Sequence, residues 1–226
     1  MAKRDFAVIG LGRFGASICQ TLQALGYDVL GIDRDMALVQ QMRPLVTDAV
    51  QLDATDQEAL RSVNIGAYDA VVVAIGGDLE SSILATLVLK ELGVKRVLAK
   101  AGNAMQQRVL AKVGADLVMF PEEDAGYRLA HSLVYPTIND FIDLGEDYLI
   151  LEGSVRPEWV GHTLGEIGMG ADYSRIEEGG EYKGLQVHLL RRGKRLINLP
   201  GPDTRLEEGD VLALVGTHQD LKVLIR

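Results

Sequence analysis

An α/β fold, a doubly wound parallel sheet followed by a smaller α+β domain, is the class this sequence predicts, and three observations predict it. The first is the run Asp5-Phe6-Ala7-Val8-Ile9-Gly10-Leu11-Gly12-Arg13-Phe14-Gly15, an apolar strand that turns through glycines into a helix. The second is the alternation of short apolar runs with helical stretches as far as Phe120, the pattern of parallel strands joined by crossover helices. The third is a change of texture after residue 143, where short strands and turns take over. A chain of 226 residues suits two modest domains. They divide here as 1–121, a crossover helix and linker over 122–143, and 144–226.

In the opening run each glycine has its own task. Gly10 permits the tight turn, Gly12 lets a ligand's phosphates approach the backbone, and Gly15 lets the new helix pack on its strand. That helix, Phe14 to Leu25, puts Phe14, Ile18, Leu22 and Leu25 on one face. Its first N–H groups have no partner within the helix and carry partial positive charge toward the turn. A second strand, Asp28 to Ile32, then ends in Asp33, eighteen residues after Gly15, where a Rossmann unit carries its ribose-binding carboxylate. Strand, glycines, helix, strand and acid in one run predict a nucleotide site.

NAD(H) and an adenine mononucleotide such as ATP or ADP both present a ribose diol and a diphosphate, and this fingerprint accepts either. A 2′-phosphate would be repelled by Asp33, which disfavours NADP, although Arg34 stands beside it as a counter-charge. Arg13 bears on the other choice, because a guanidinium inside the phosphate-binding turn can hold a further, terminal phosphate.

Further along, Met36 to Met42 reads as a short helix and Asp48 to Leu52 as a strand ending in Asp53-Ala54-Thr55. Carboxyl ends line the ligand crevice of such a sheet, so Asp53 and Thr55 are candidates for adenine or ribose contacts. Thr55 also fits a helix cap, with Glu58 closing a capping box. Ala70 to Ile75 is apolar on both faces, as a central strand should be, and the backbone near its carboxyl end, at Ala74, Ile75 and Gly76, could lie against the nucleotide. The helix from Leu79 to Leu92 carries Ile83 and Leu87 as its core stripe. A fifth strand, Arg96 to Lys100, brings Lys100 within reach of a phosphate. Helix Asn103 to Val113 and strand Leu117 to Phe120 complete six strands. Pro121-Glu122-Glu123-Asp124 then opens the helix Ala125 to Leu133, where the helix dipole favours acids. Beyond the linker, strands are expected at Tyr148 to Val155, Leu185 to Arg191, Arg195 to Ile197 and Val211 to Gly216, with a final helix over Gln219 to Leu224.

Composition narrows the function. With 32 acidic and 23 basic residues the net charge is −9, which argues against nucleic acid and against unassisted binding to anionic lipid. No apolar run is long enough to span a bilayer and no signal peptide precedes the first strand, so a cytoplasmic protein is expected. Cys19, the single cysteine, reads as a small buried hydrophobe. His162, His188 and His218 lie on separate elements with no Asp or Cys spaced to pair with any of them. A hydride-transfer enzyme, which needs a proton donor at its nicotinamide, is therefore disfavoured.

The words Val8-Ile9-Gly10-Leu11-Gly12-Arg13-Phe14-Gly15, Val72-Val73-Ala74-Ile75-Gly76, Leu89-Lys90-Glu91-Leu92, Gly114-Ala115-Asp116 and Pro121-Glu122 carry a family resemblance. So do Leu196-Ile197-Asn198-Leu199-Pro200-Gly201-Pro202-Asp203 and the run from Leu206 to Gly216. Over nearly its whole length the chain resembles the RCK (KTN) proteins, cytosolic regulators of potassium channels and transporters. In length and domain order it is most similar to the regulatory subunits of bacterial Ktr uptake systems.

The resemblance implies a homodimer, four of which form an octameric ring beneath a membrane potassium-transport subunit that responds as ATP replaces ADP. It places the ribose on Asp33, the phosphates on Gly10 to Gly15, the adenosine end on Asp53, Ala54 and Thr55, and the γ-phosphate on Arg13, across the dimer. Glu122 would lie near the phosphates and bind a divalent or monovalent cation. Some relatives bind cyclic di-AMP in the C-terminal domain. Here the stretch Met169 to Lys183 is acidic and glycine-rich where relatives carry a short helix with an arginine, so no residue is assigned to that ligand.

Overall fold

The computed structural model describes residues 4–134, 137–145, 147–169, 185–217 and 219–220. The chain divides into two units, Met1–Glu123 and Asp124–Arg226.

The first unit runs β1 (Asp5–Ile9), α1 (Arg13–Ala24), β2 (Asp28–Asp33), α2 (Met36–Met42), β3 (Asp48–Gln51), α3 (Gln57–Ser62), β4 (Ala70–Val73), α4 (Leu79–Glu91), β5 (Val97–Lys100), α5 (Ala104–Lys112) and β6 (Leu117–Met119). The six strands are parallel in the order β3-β2-β1-β4-β5-β6. That order reverses between β1 and β4, the switch point at which a doubly wound sheet opens a crevice beyond its carboxyl ends. Alternation along the strands feeds two cores. Ala7, Ile9, Val71 and Val73 point into one, while Val8 and Val72 join Cys19 of α1 in the other. Burial pushes the Cys19 thiol up to about 11, so it stays protonated and inert at neutral pH, as a small hydrophobe would.

Three local expectations are corrected here. Leu25 caps α1 from outside and is 67% exposed, so the buried face carries Gly15 and Cys19, with Phe14, Ile18 and Leu22 partly covered. On α4 the core side is Ser82, Ala85, Thr86 and Leu89, and Leu87 faces outward. Aliphatic residues surround that helix, and without a polar face the sequence gives no contrast by which to orient it. The cap of α3 is Asp56, whose Oδ1 accepts from the amides of Glu58 (2.9 Å) and Ala59 (3.2 Å). Thr55 serves Asp53 instead.

The helix α6 (Pro121–Val134) begins in the first unit and runs on into the second. There β7 (Ile138–Gly145), β8 (Tyr148–Ser154), β9 (Gln186–Arg192), β10 (Arg195–Asn198) and β11 (Val211–Thr217) form an antiparallel sheet in the order β10-β9-β11-β8-β7. Residues 138–143, expected as linker, belong to the edge strand β7. Asn139, Asp140 and Asp143 interrupt its apolar alternation, because most of this strand faces solvent. Leu149, Leu151, Leu190, Leu206, Leu212 and Leu214 fill the core of this unit. Of the final helix expected over Gln219 to Leu224, residues 221–224 lie outside the described residues, as do the stretch from 170 to 183 and His218.

One polar knot sits within the second unit. Asp210 is fully buried and takes Arg192 Nε on Oδ1 (2.9 Å), with Arg192 Nη2 (2.7 Å) and the Glu207 amide (2.9 Å) on Oδ2. Arg192 also donates to the Arg205 carbonyl at 2.8 Å and pairs with Glu207.

Candidate functional site

The glycine turn between β1 and α1 is built as its spacing demands. Gly10 has φ +93°, and a Cβ there would lie 3.0 Å from the Ala74 carbonyl carbon. At Gly15 a Cβ would lie 1.8 Å from the Gly10 carbonyl oxygen, so no side chain fits between helix and turn. Gly12 is different, since a Cβ there would meet nothing within 4 Å. It stands at the N-cap of α1, and no side chain caps the helix. The first amides of α1 are thus left without a side-chain acceptor, the condition under which a helix start receives an anion.

Asp33, at the end of β2, is fastened to this turn. Its Oδ2 accepts the Leu11 amide at 2.6 Å and its Oδ1 accepts the Asp35 amide at 2.8 Å. The carboxylate that would hold a ribose diol therefore also fixes the loop that would hold the phosphates. Leu11 is buried behind the loop, its side chain against Gly31, where a Cβ would stand 3.1 Å from Leu11 Cδ2.

Next to these groups opens a cavity of about 240 Å³. Gly10 and Gly12 line one side, and Asp33 and Arg34 stand at the end of β2. Asp53, Ala54 and Thr55 approach from β3, and Ala74, Ile75 and Gly76 from β4. The structure adds Ile9, Leu38, Leu52 and Ser81, which sequence reasoning missed. Leu52 was readable as the last apolar residue before Asp53, but nothing in the sequence marks Leu38 or Ser81. Leu38 and Leu52 give the cavity apolar walls of the kind a planar base would pack on.

Charges of both signs surround the site. Asp53 Oδ1 accepts the Thr55 amide (2.9 Å) and hydroxyl (2.7 Å), which hold its carboxyl below the usual range. Arg34 lies 3.7 Å from Asp78, the N-cap of α4, so its charge is already partly engaged. Two further cations belong to α1 and β5. Arg13 is exposed at the first position of α1. Lys100 lies over the half-buried Phe14 ring, 5.7 Å from its centroid, and pairs with Glu122. Lys100 first, and Arg13 more weakly, hold the Glu122 carboxyl below its ordinary value. Arg13, Phe14, Gly15, Lys100 and Glu122 surround or support the cavity without lining it.

A nucleotide fits these residues: an open helix start for phosphates, a carboxylate for the diol, and apolar walls for the base. A cation held by protein alone fits less well. Glu122 is already paired with Lys100, and among the described residues no group of three or more His, Cys, Asp or Glu side chains stands together. The remaining ligands would have to come from phosphates. His162 lies 3.5 Å from Glu166 in the second unit and is not among the groups that line the cavity.

A parallel sheet with a glycine turn and a terminal acid, followed by an antiparallel unit, makes this a two-part chain whose first unit is Rossmann-like. Residues 6–121 match the TrkA-N domain and residues 154–226 the TrkA-C domain. The chain is 36% identical over 219 residues to Ktr system potassium uptake protein C of Bacillus subtilis (strain 168), covering 97% of this chain and 95% of that one. It is 37% identical over 218 residues to Ktr system potassium uptake protein A of Vibrio alginolyticus, covering 96% and 94%. The chain belongs to this TrkA-type RCK family of potassium uptake proteins. Among solved structures the GsuK RCK domain shares the fold, with a TM-score of 0.50 and 22% identity over 98% of this chain, which spans 46% of that one. Among the described residues, no helix is long and apolar enough to cross a membrane.

Proposed function

We propose that this chain is the cytoplasmic, nucleotide-binding regulatory subunit of a potassium uptake system, in which ATP and ADP compete for the cavity and set the state of a membrane partner. The observation that carries this reading is Asp33, a carboxylate that lines the cavity while holding the Leu11 amide of the glycine turn. Full-length relatedness to Ktr potassium uptake proteins supports the potassium assignment. Regulation is favoured over catalysis because the titratable groups among the described lining residues are Asp33, Arg34 and Asp53. No His, Cys, Tyr or Lys stands among these described lining residues to pass a proton to a substrate.

Two nucleotides sharing one site can switch a protein only if they favour different states. Carrying a two-state assembly from about 1:99 to 99:1 takes about 5.5 kcal/mol of differential binding. Shared among the eight sites of an octamer of four homodimers, that is below about 1 kcal/mol per site, within reach of a single charge-assisted contact. Arg13 is the residue for that contact. It is exposed at the first position of α1, beside the glycine turn and outside the lining, so a nucleotide on that turn could reach it with a terminal phosphate that ADP lacks. A cation beside the γ-phosphate would face Glu122.

Arg13→Ala is expected to bind ADP as the parent does and to lose about tenfold of its affinity for ATP, measured by calorimetry. An ATP preference left intact would remove Arg13 from the switch. Reconstitution with the membrane subunit, following potassium flux with ATP or ADP present, tests the whole proposal. NADH turnover, or NADH binding in preference to both adenine nucleotides, would point to an oxidoreductase or an NADH/NAD sensor instead.

A further inference from the structure

Lys100 is drawn inward, with its side chain 13% exposed, yet its structural partner Glu122 is 71% exposed. Its ammonium lies over Phe14 at the start of α1, and a Cβ on Gly76 would come within 3.3 Å of it. Gly76 lines the cavity, so the same nitrogen that holds Glu122 borders the space of the expected phosphates. An ammonium is a compact point charge whose donors turn freely, and it can serve either neighbour. The pair with Glu122 is open to water on the carboxylate side and holds weakly. A phosphate seated on the glycine turn brings more charge to the same nitrogen.

We propose that Lys100 exchanges partners: it holds Glu122 when no phosphate is present, and it turns to the phosphate of a bound nucleotide, releasing Glu122. This rests on the nucleotide reading above and adds a route for its effect. Glu122 lies in the first turn of α6, and α6 runs from the first unit into the second. The exchange therefore delivers the state of the cavity to the element that links the two units. A permanent structural ion pair would do neither.

A double-mutant cycle on the full chain separates these possibilities, with ADP affinity read by calorimetry. Glu122→Gln removes the competitor for Lys100 and should raise ADP affinity about fivefold, which is ~1 kcal/mol. In a Lys100→Met background, where the stem still covers Phe14, the same substitution should change affinity by less than about twofold, since only the field of Glu122 remains. An equal rise in both backgrounds, or no rise in either, overturns the exchange. Hydrogen exchange gives a second readout. Amides 124–127 of the parent should exchange faster with ADP than with adenosine, and in Lys100→Met they should be fast with both. Indifference of these amides to ADP would overturn the link to α6. If the parent binds no ADP, the nucleotide reading itself fails, an outcome distinct from an additive cycle with binding intact.

Discussion

Replacing Asp33 with alanine should weaken ATP, ADP and AMP together, by about a hundredfold or more. The carboxylate has two tasks in one place. It accepts the Leu11 amide at 2.6 Å, which shapes the glycine turn, and it lines the cavity where a ribose diol would lie. Hydrogen bonds to a charged group contribute about 1.5–3 kcal/mol each, and two lost together exceed the 2.8 kcal/mol that a hundredfold requires. Asp33→Asn retains an acceptor for Leu11 but not the charge, so its loss should be smaller. Because the whole adenosine half is affected, the ratio of ATP to ADP affinity should stay nearly constant, unlike the outcome for Arg13→Ala. Calorimetry on the two variants side by side distinguishes anchoring from discrimination. Unchanged affinities in Asp33→Ala would mean that the nucleotide does not bind at this turn.

The other large effect is on stability. Asp210→Ala should destabilise the second unit by about 3–5 kcal/mol, the usual consequence of stripping one partner from a buried ion pair. Arg192 keeps Glu207 and the Arg205 carbonyl but loses both bonds to Asp210. The Glu207 amide loses its acceptor as well. Trp159, the sole tryptophan, packs against the core of this unit and reports its unfolding by fluorescence in denaturant.

The same group predicts an acid dependence. Burial alone would raise the Asp210 carboxyl, but the Arg192 guanidinium and the Glu207 amide outweigh it and hold the group below the ordinary range. A carboxyl depressed on folding stabilises above its unfolded value, about pH 4, and that stabilisation is lost as pH falls through the lower folded value. The parent should therefore lose stability below about pH 4 more steeply than Asp210→Asn. Parallel curves for the two proteins would show that Asp210 does not titrate as the geometry requires.

What the sequence made legible follows from how local each signal is. The glycine turn, the position of Asp33 at the end of β2 and the buried run of β4 depend on residues close in the chain, and the structure has each of these elements where the sequence predicts it, with β4 ending at Val73. Features that depend on long-range meetings were not legible. Lys100 with Glu122, and Arg192 with Asp210, join residues on separate elements, and nothing in either segment names the other. Helix α4 was misoriented because its aliphatic residues surround it. At α3, neighbouring Thr55 and Asp56 both fit a cap, and the choice went to Asp56 once Thr55 was engaged by Asp53. The cavity walls Leu38 and Leu52 look like any core leucine until the sheet has brought them to one crevice.

The most direct test of the central claim, that the first unit is an adenine-nucleotide receptor, is native mass spectrometry of the full chain mixed with equal ATP, ADP and NADH. The account predicts one adenine nucleotide per chain, with ATP and ADP displacing each other and no product formed. A chain that retains none of the three, or that turns NADH over, would contradict it.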